Sequence, residues 1–212
     1  NFNSIINNRL TKGKLVTNVE LYFNDNLQLT NFIAKGEVKE MNAIVNNNLI
    51  LRDTSFNFFT DNSDSLIKNI NGKMDGFLIK NGDLKIERDK NKIIKSNFHT
   101  DVDLNYQNIE NYSKYLKNIN YLSKKFNFKA SLNHNFNITF DKTYKVADFS
   151  IKSTGRLNGL KFRLDRPIKN IFLGYDIASL SFKDSDLSIR YGLDKKNYIS
   201  AVGIYQINDS KY

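Results

Sequence analysis

The sequence predicts a mostly β protein: a long, curled antiparallel meander, groove-like in shape, with one amphipathic helix. Three observations predict it. First, the stretch 126–140 alternates without interruption. Phe126, Phe128, Ala130, Leu132, His134, Phe136, Ile138 and Phe140 fall on even positions, with Asn, Lys, Ser and Thr between them. Successive side chains of a pleated strand point to opposite faces, so one face is apolar and the other wet. At about 3.3 Å per residue this strand spans roughly 50 Å, where five or six residues are usual. Second, further alternating runs are separated by Asx and Gly clusters. Third, only one segment changes to a helical period.

Along the chain, Leu15, Thr17, Val19, Leu21 and Phe23 alternate with polar residues before a turn at Asn24-Asp25-Asn26. Phe32, Ala34, Gly36 and Val38 repeat the period, and Asn46-Asn47-Asn48 breaks the next run before Leu49-Ile50-Leu51. Asx and Gly tolerate turn dihedrals, so these clusters read as hairpin connections. One module recurs as Leu51-Arg52-Asp53-Thr54-Ser55-Phe56, Ile79-Lys80-Asn81-Gly82-Asp83-Leu84 and Phe182-Lys183-Asp184-Ser185-Asp186-Leu187. It is expected to be a hairpin turn. A second pair, Gly72-Lys73-Met74-Asp75-Gly76 and Gly155-Arg156-Leu157-Asn158-Gly159, precedes alternating runs in the same way. Such repeats describe an array that grows strand by strand.

Ile94, Phe98, Val102 and Leu104 share one face of another strand. From Asn108 to Lys125 the apolar residues Ile109, Tyr112, Leu116, Ile119 and Leu122 come every third or fourth position. That spacing predicts an amphipathic helix with Asn108 as N-cap. The expected organisation is therefore a β block over 1–107, a helical connector over 108–125 and a second β block over 126–212, about a dozen strands in all. The absence of an initial Met and the strand-like run near the end suggest a piece of a longer protein.

With 212 residues, 40% hydrophobic and 13% aromatic, the chain has enough apolar surface for a sizeable core and is not disordered. The net charge of +10 suits an anionic partner. The aromatics alternate away from the lysines, however, which is the wrong arrangement for stacking nucleic-acid bases. Absence of cysteine removes disulfides, thiolate metal sites and thiol nucleophiles together.

No sequence feature nominates an enzyme or a cofactor. His99 falls on the wetter side of its strand and His134 interrupts the apolar side of the long one; both read as structural. Asp61-Asn62-Ser63-Asp64-Ser65 lacks the Gly and closing Glu of a calcium loop and reads as a polar turn. Lys161, Arg163, Arg166 and Lys169 cluster around the single Pro, Pro167. Lys161 and Arg163 stand opposite Leu160, Phe162 and Leu164, where they could meet a phosphate.

The functional question is what covers the apolar face. Phe126, Phe128, Leu132, Phe136, Ile138 and Phe140 alone represent roughly 9–18 kcal/mol of burial, at about 1.5–3 kcal/mol each. Two sheets could close on each other as a structural or adhesive β-sandwich. An outer-membrane β-barrel would point such residues at lipid. A curled single sheet would leave an apolar trough, which the long strand and additive hairpins suit best. In that trough Phe98, Phe149, Ile151 and Phe162 join the six residues above.

The alternating meander, the repeated apolar-basic-Asx modules, the Gly-x-x-x-Gly starts and the intervening helix resemble the AsmA-like family of Gram-negative bacteria. The likeness is greatest to its large branch that includes the YhdP and TamB proteins. The resemblance implies an internal segment of a long periplasmic β-groove, tethered to the inner membrane through a part not present here. It further implies a phospholipid or other acyl lipid as partner and a role in lipid transport toward the outer membrane and envelope integrity. Acyl chains would lie on the apolar face, with head groups near Lys161, Arg163, Arg166 and Lys169.

Overall fold

The computed structural model describes residues 9–46, 49–88, 92–111, 126–141, 145–169, 172, 174–193 and 197–208. They form one antiparallel sheet of ten strands in strict sequence order. The strands are β1 (Leu10–Phe23), β2 (Leu29–Asn46), β3 (Leu49–Thr60), β4 (Asp64–Met74), β5 (Phe77–Glu87), β6 (Ile93–Asn105), β7 (Asn127–Phe140), β8 (Val146–Ile168), β9 (Ile177–Gly192) and β10 (Tyr198–Ile207). The predicted meander is present. The sheet is open: β1 pairs only with β2 and β10 only with β9. The described residues therefore make neither a sandwich nor a closed barrel.

The number of strands is smaller than expected because two sequence breaks are not turns. The runs at Phe149-Ile151 and Leu160-Leu164 belong to one 23-residue strand, β8, and those either side of Asp184 belong to β9. All three copies of the apolar-basic-Asx module lie inside strands. Asp53, Asn81 and Asp184 adopt φ of 50°, 50° and 48° at β-bulges in β3, β5 and β9. Two further copies with the same start, Val38-Lys39-Glu40 and Ile67-Lys68-Asn69, bulge β2 and β4, with φ of 50° and 56°. The left-handed region costs an ordinary L-residue about 1–2 kcal/mol, and Asn and Asp tolerate it best. Four of these five bulge residues are Asn or Asp.

Side chains answer the amides that the bulges remove from the ladder. In β2 and β3 the exchange is reciprocal: Asp53 N–H donates to Asn42 Oδ1 (2.9 Å) and Glu40 N–H to Ser55 Oγ (3.2 Å). In β4 and β5, Asn81 N–H donates to Asn71 Oδ1 (3.2 Å) and Asn69 N–H to Asp83 Oδ1 (3.4 Å). Each acceptor stands two residues after the bulge of its own strand. The full unit is thus apolar, Lys or Arg, Asx or Glu, any residue, then Asn, Ser or Asp. It satisfies the rule that backbone polar groups find partners.

Bulges bend a strand and increase its twist. Those of β2 to β5 are adjacent across the sheet, β8 carries its extra residue at Asn158, and β9 continues the line at Asp184. The most deeply buried side chains follow this crease: Thr54 (1% exposed), Leu157 (1%), Ser185 (0%), Ala130, Leu132, Thr100 and Val102. A single sheet has no second layer to cover a leucine, so cover comes from neighbours on the same face. Val102, Ala130, Leu132, Leu157 and Leu187 touch one another there, with Phe77, Leu104, Phe128, Leu160 and Phe182 packed around them. Small residues fit where adjacent strands come close. A Cβ on Gly155 would stand 2.1 Å from the Ser131 carbonyl oxygen of β7.

Other expectations meet the structure as follows. Asn24 caps the β1–β2 turn, its Oδ1 accepting from the N–H groups of Asn26 and Gln28. Gly72-Lys73-Met74-Asp75-Gly76 ends in a true turn, with Gly76 at φ 79°, whereas Gly155-Arg156-Leu157-Asn158-Gly159 lies within β8. The helix α1 spans Tyr106–Asn111 and starts two residues earlier than expected. Its N-cap is Asn105, not Asn108: Asn108 N–H donates to Asn105 Oδ1 (3.0 Å) and Asn105 N–H to Asn108 Oδ1 (3.2 Å), a reciprocal capping box. The remainder of the predicted connector, 112–125, and residues 47 and 48 of the Asn break lie outside the described residues.

Candidate functional site

Strand pairing turns the alternation of each strand into continuous rows across the sheet. One row runs Thr17, Gly36, Phe58, Ile67, Leu84, Ser96, Phe136, Ile151, Tyr191, from β1 to β9. The next runs Val19, Ala34, Thr60, Ser65, Ile86, Ile94, Ile138, Phe149. Both lie on the same face as the crease. With strands about 4.8 Å apart, ten strands make a face roughly 43 Å long. Half of a bilayer's hydrocarbon core is about 15 Å, so the face exceeds the length of a single acyl chain.

The predicted lining residues fall on this face. Phe128 lies between Leu104 and Leu160, Leu132 between Thr100 and Gly155, and Ile138 between Ile94 and Phe149. Phe140 pairs with Val146, Phe162 with Leu180, and Phe126 stands just before β7. Phe149 contacts Tyr191 at 5.5 Å between ring centroids. Only Leu132 is fully buried; the other nine are half-buried. Large apolar residues become openly exposed toward the outer strands, with Leu15 at 62%, Leu21 at 55% and Ile199 at 76%.

His134 is a polar station in the middle of this face. Its ring stacks on Phe98 at 4.7 Å, Nε2 meets Thr100 Oγ1 at 2.6 Å and Nδ1 meets Ser153 Oγ at 2.7 Å. Thr100 and Ser153 are buried, so both ring nitrogens are satisfied within the sheet. Burial lowers the imidazole's pKa, and the nearby His99 adds to this. A neutral ring is what an apolar surface tolerates.

The opposite face is laced with ion pairs, among them Lys129–Asp103 (3.1 Å), Arg156–Asp186 (3.0 Å) and Arg52–Asp75 (2.9 Å). Exposed pairs of this kind contribute about 0–1 kcal/mol each, but they fix which face is wet. Pairing of β6 with β7 also gathers Lys80, Asp101, His99, Ser131 and Asn133, a cluster that sequence inspection does not find because 30 residues separate Asp101 from Ser131. Lys80 Nζ bonds Asp101, Ser131 donates to the same carboxylate (2.7 Å), and His99 Nε2 lies 3.2 Å from it. Lys80 and then Ser131 hold the Asp101 carboxyl well below the usual range. Ser131 Oγ also lies 3.0 Å from His99 Nε2, so the serine bridges the imidazole and the carboxylate.

Lys161 and Arg163 lie on the polar face, opposite Leu160 and Phe162, and pair in register with Ser181 and Ser179. Arg166 and Lys169 are exposed at the end of β8 beside the fully exposed Phe172. The four cations therefore divide: Lys161 and Arg163 sit behind the apolar face, and Arg166 and Lys169 are exposed where β8 ends. Asp61 of the polar turn uses Oδ1 to accept from Ser63 and Asp64, which takes up the carboxylate that a calcium loop would need. Among the described residues no three His, Asp or Glu side chains gather as metal ligands.

Comparison with protein-family models, curated proteins and solved structures gives no match to this chain. The functional reading accordingly comes from its own geometry.

Proposed function

We propose that this chain is a segment of a periplasmic β-groove of the AsmA-like kind, holding or conducting phospholipid acyl chains between inner and outer membranes and so supporting envelope integrity. The observation that carries the proposal is one face of a single-layer sheet on which large apolar side chains recur from β3 to β9, as in the row Phe58, Ile67, Leu84, Phe136, Ile151 and Tyr191, with Ser96 and His134 as polar interruptions. Burying hydrocarbon on such a face is favourable by about 0.8 kcal/mol per methylene, and transfer along it needs no bond chemistry. Arg166 and Lys169, exposed where β8 ends, would meet the phosphates, while Lys161 and Arg163 on the polar face raise the local positive potential.

The test is native mass spectrometry after gentle purification, with lipid extracted from the same sample. Bound phospholipid is expected for the natural sequence and lost in Phe136→Asp, with circular dichroism showing retained strand content. A milder variant, Tyr191→Asp, changes a residue that is 52% exposed on the same row and should weaken binding without unfolding. Undiminished lipid in both variants, or no lipid in the natural chain, would refute the trough. A plain β scaffold is the second reading, favoured by the crease residues that already fill one another's space.

A further inference from the structure

Strand pairing orders the wet face of the sheet as it orders the apolar one. One polar row runs Asn97, Asn135, Lys152, Arg190 from β6 to β9, and the next runs His99, Asn133, Thr154, Ser188. Over β6, β7 and β8 the two rows line a hollow of about 690 Å³. Its neighbouring cations are matched by acids: Lys80 by Asp101, Lys129 by Asp103 and Arg156 by Asp186. Lys152 and Arg190 are not. They face each other in register on β8 and β9, both exposed, and among the described residues neither reaches an acid. Like charges directly opposite each other destabilise a sheet, and an anion between them reverses the sign of that interaction.

The rest of the hollow is neutral and hydrogen-bonding. Asn135 Nδ2 donates to Asn97 Oδ1 (2.7 Å), and Asn133 Oδ1 lies 2.9 Å from His99 Nδ1. Among the described residues the Asn133 amide nitrogen and the Thr154 hydroxyl have no hydrogen-bond partner, and the Asn135 amide oxygen is a spare acceptor. Amides and hydroxyls that both give and take hydrogen bonds match ligand hydroxyl groups, which do the same.

We propose that this hollow binds an acidic glycan. A carboxylate or phosphate of the sugar chain sits between Lys152 and Arg190, and sugar hydroxyls bond Asn133, Asn135 and Thr154. An ammonium beside a guanidinium is a cradle for such oxygens. Nucleic acid is disfavoured because its bases need a ring to stack on. Phe98 and His134 border the hollow, but their rings stack on each other on the apolar face, and the His99 ring is tied to Asn133 and Asp101. A lipid surface would require apolar side chains beside the cations, where this hollow has amides. The site lies on the face opposite the trough and stands whether or not the trough holds lipid.

The experiment is isothermal titration calorimetry of the full chain with an oligogalacturonate in about 150 mM salt, where the Debye length of about 8 Å screens the long-range pull of the net charge of +10. Binding is expected to the uronate and not to a dextran oligomer, to oligothymidylate or to phosphatidylglycerol vesicles. Arg190→Gln should weaken it by about tenfold or more, and Asn133→Ala by about threefold. Lys152→Glu gives Arg190 a partner, so binding should be abolished while Tm is held or raised, which separates loss of the site from loss of the fold. Lys68→Gln removes an exposed cation from the same face of β4, where it pairs in register with Asn57, and should leave binding within about twofold. No binding of the uronate by the natural chain, binding that survives Lys152→Glu, or equal losses in Lys68→Gln and Arg190→Gln would each overturn the proposal. So would dextran, oligothymidylate or vesicles binding as tightly as the uronate.

Discussion

The same substitution at two points of the apolar face separates a core from a trough. Leu157 lies on the crease at 1% exposure, between Ala130 of β7 and Ser185 of β9, and Leu21 lies on the same face of β1 at 55%. Truncating a buried leucine removes transfer energy and leaves a cavity, for about 2–5 kcal/mol. Packed among Val102, Ala130, Leu132 and Leu187 with no second layer to close over the gap, Leu157→Ala is expected to lose about 3 kcal/mol. For a chain of this size that is a fall in Tm of roughly 6–12 °C. Leu21→Ala removes a side chain that water already reaches and should cost under about 1 kcal/mol. Urea titration followed by circular dichroism measures both. Equal losses would mean that the outer strands are covered as well as the crease. A loss under 1 kcal/mol at Leu157 would mean that the crease is not the core.

Further expectations follow from the bulges, the close strand approach and the titrating groups. Asn71→Ala leaves the Asn81 amide without its acceptor and should cost about 0.5–1.5 kcal/mol, with faster hydrogen exchange at that one amide. Unchanged exchange there would remove the bulge bond from the account. Gly155→Val should destabilise by more than the roughly 1 kcal/mol that glycine normally concedes, since its Cβ has no room beside Ser131; a neutral effect in urea would contradict the geometry. For His134 the folded pKa is depressed, so stability is full above the unfolded value near 6.5 and declines as pH falls below it. His134→Gln should flatten Tm between about pH 7 and pH 5, and an identical slope in both proteins would refute this. Asp101 is a depressed carboxylate, so its stabilisation is present above about pH 4 and fades on further acidification. Asp101→Asn should weaken the acid dependence below pH 4, read by the same melts.

Much of the fold was legible residue by residue. The alternation of 126–140 placed β7 to within one residue at its start, and the same period placed Ile94 to Leu104 on one face of β6. The N-cap of α1 lies three residues before the expected one, because Asn105 and Asn108 are equally able caps and each bonds the other's amide. The repeated basic-Asx module was found as a repeat but assigned to turns. A single Asx residue at positive φ serves a hairpin and a mid-strand bulge alike. The decision rests on whether the flanking residues find partners on both sides, which lie on other strands.

Period-two patterning is a local property of the backbone, and so the sequence alone determined that this chain is an antiparallel meander with one greasy face and one wet one. Tertiary structure decided that the sheet stays single and open, that bulges line up across neighbouring strands, and that Leu157 is buried while Leu21 is not. Burial on one face of a single layer depends on which side chains neighbouring strands bring alongside, as Val102, Ala130, Leu132 and Leu187 are brought to Leu157, a relation that no single stretch of sequence contains.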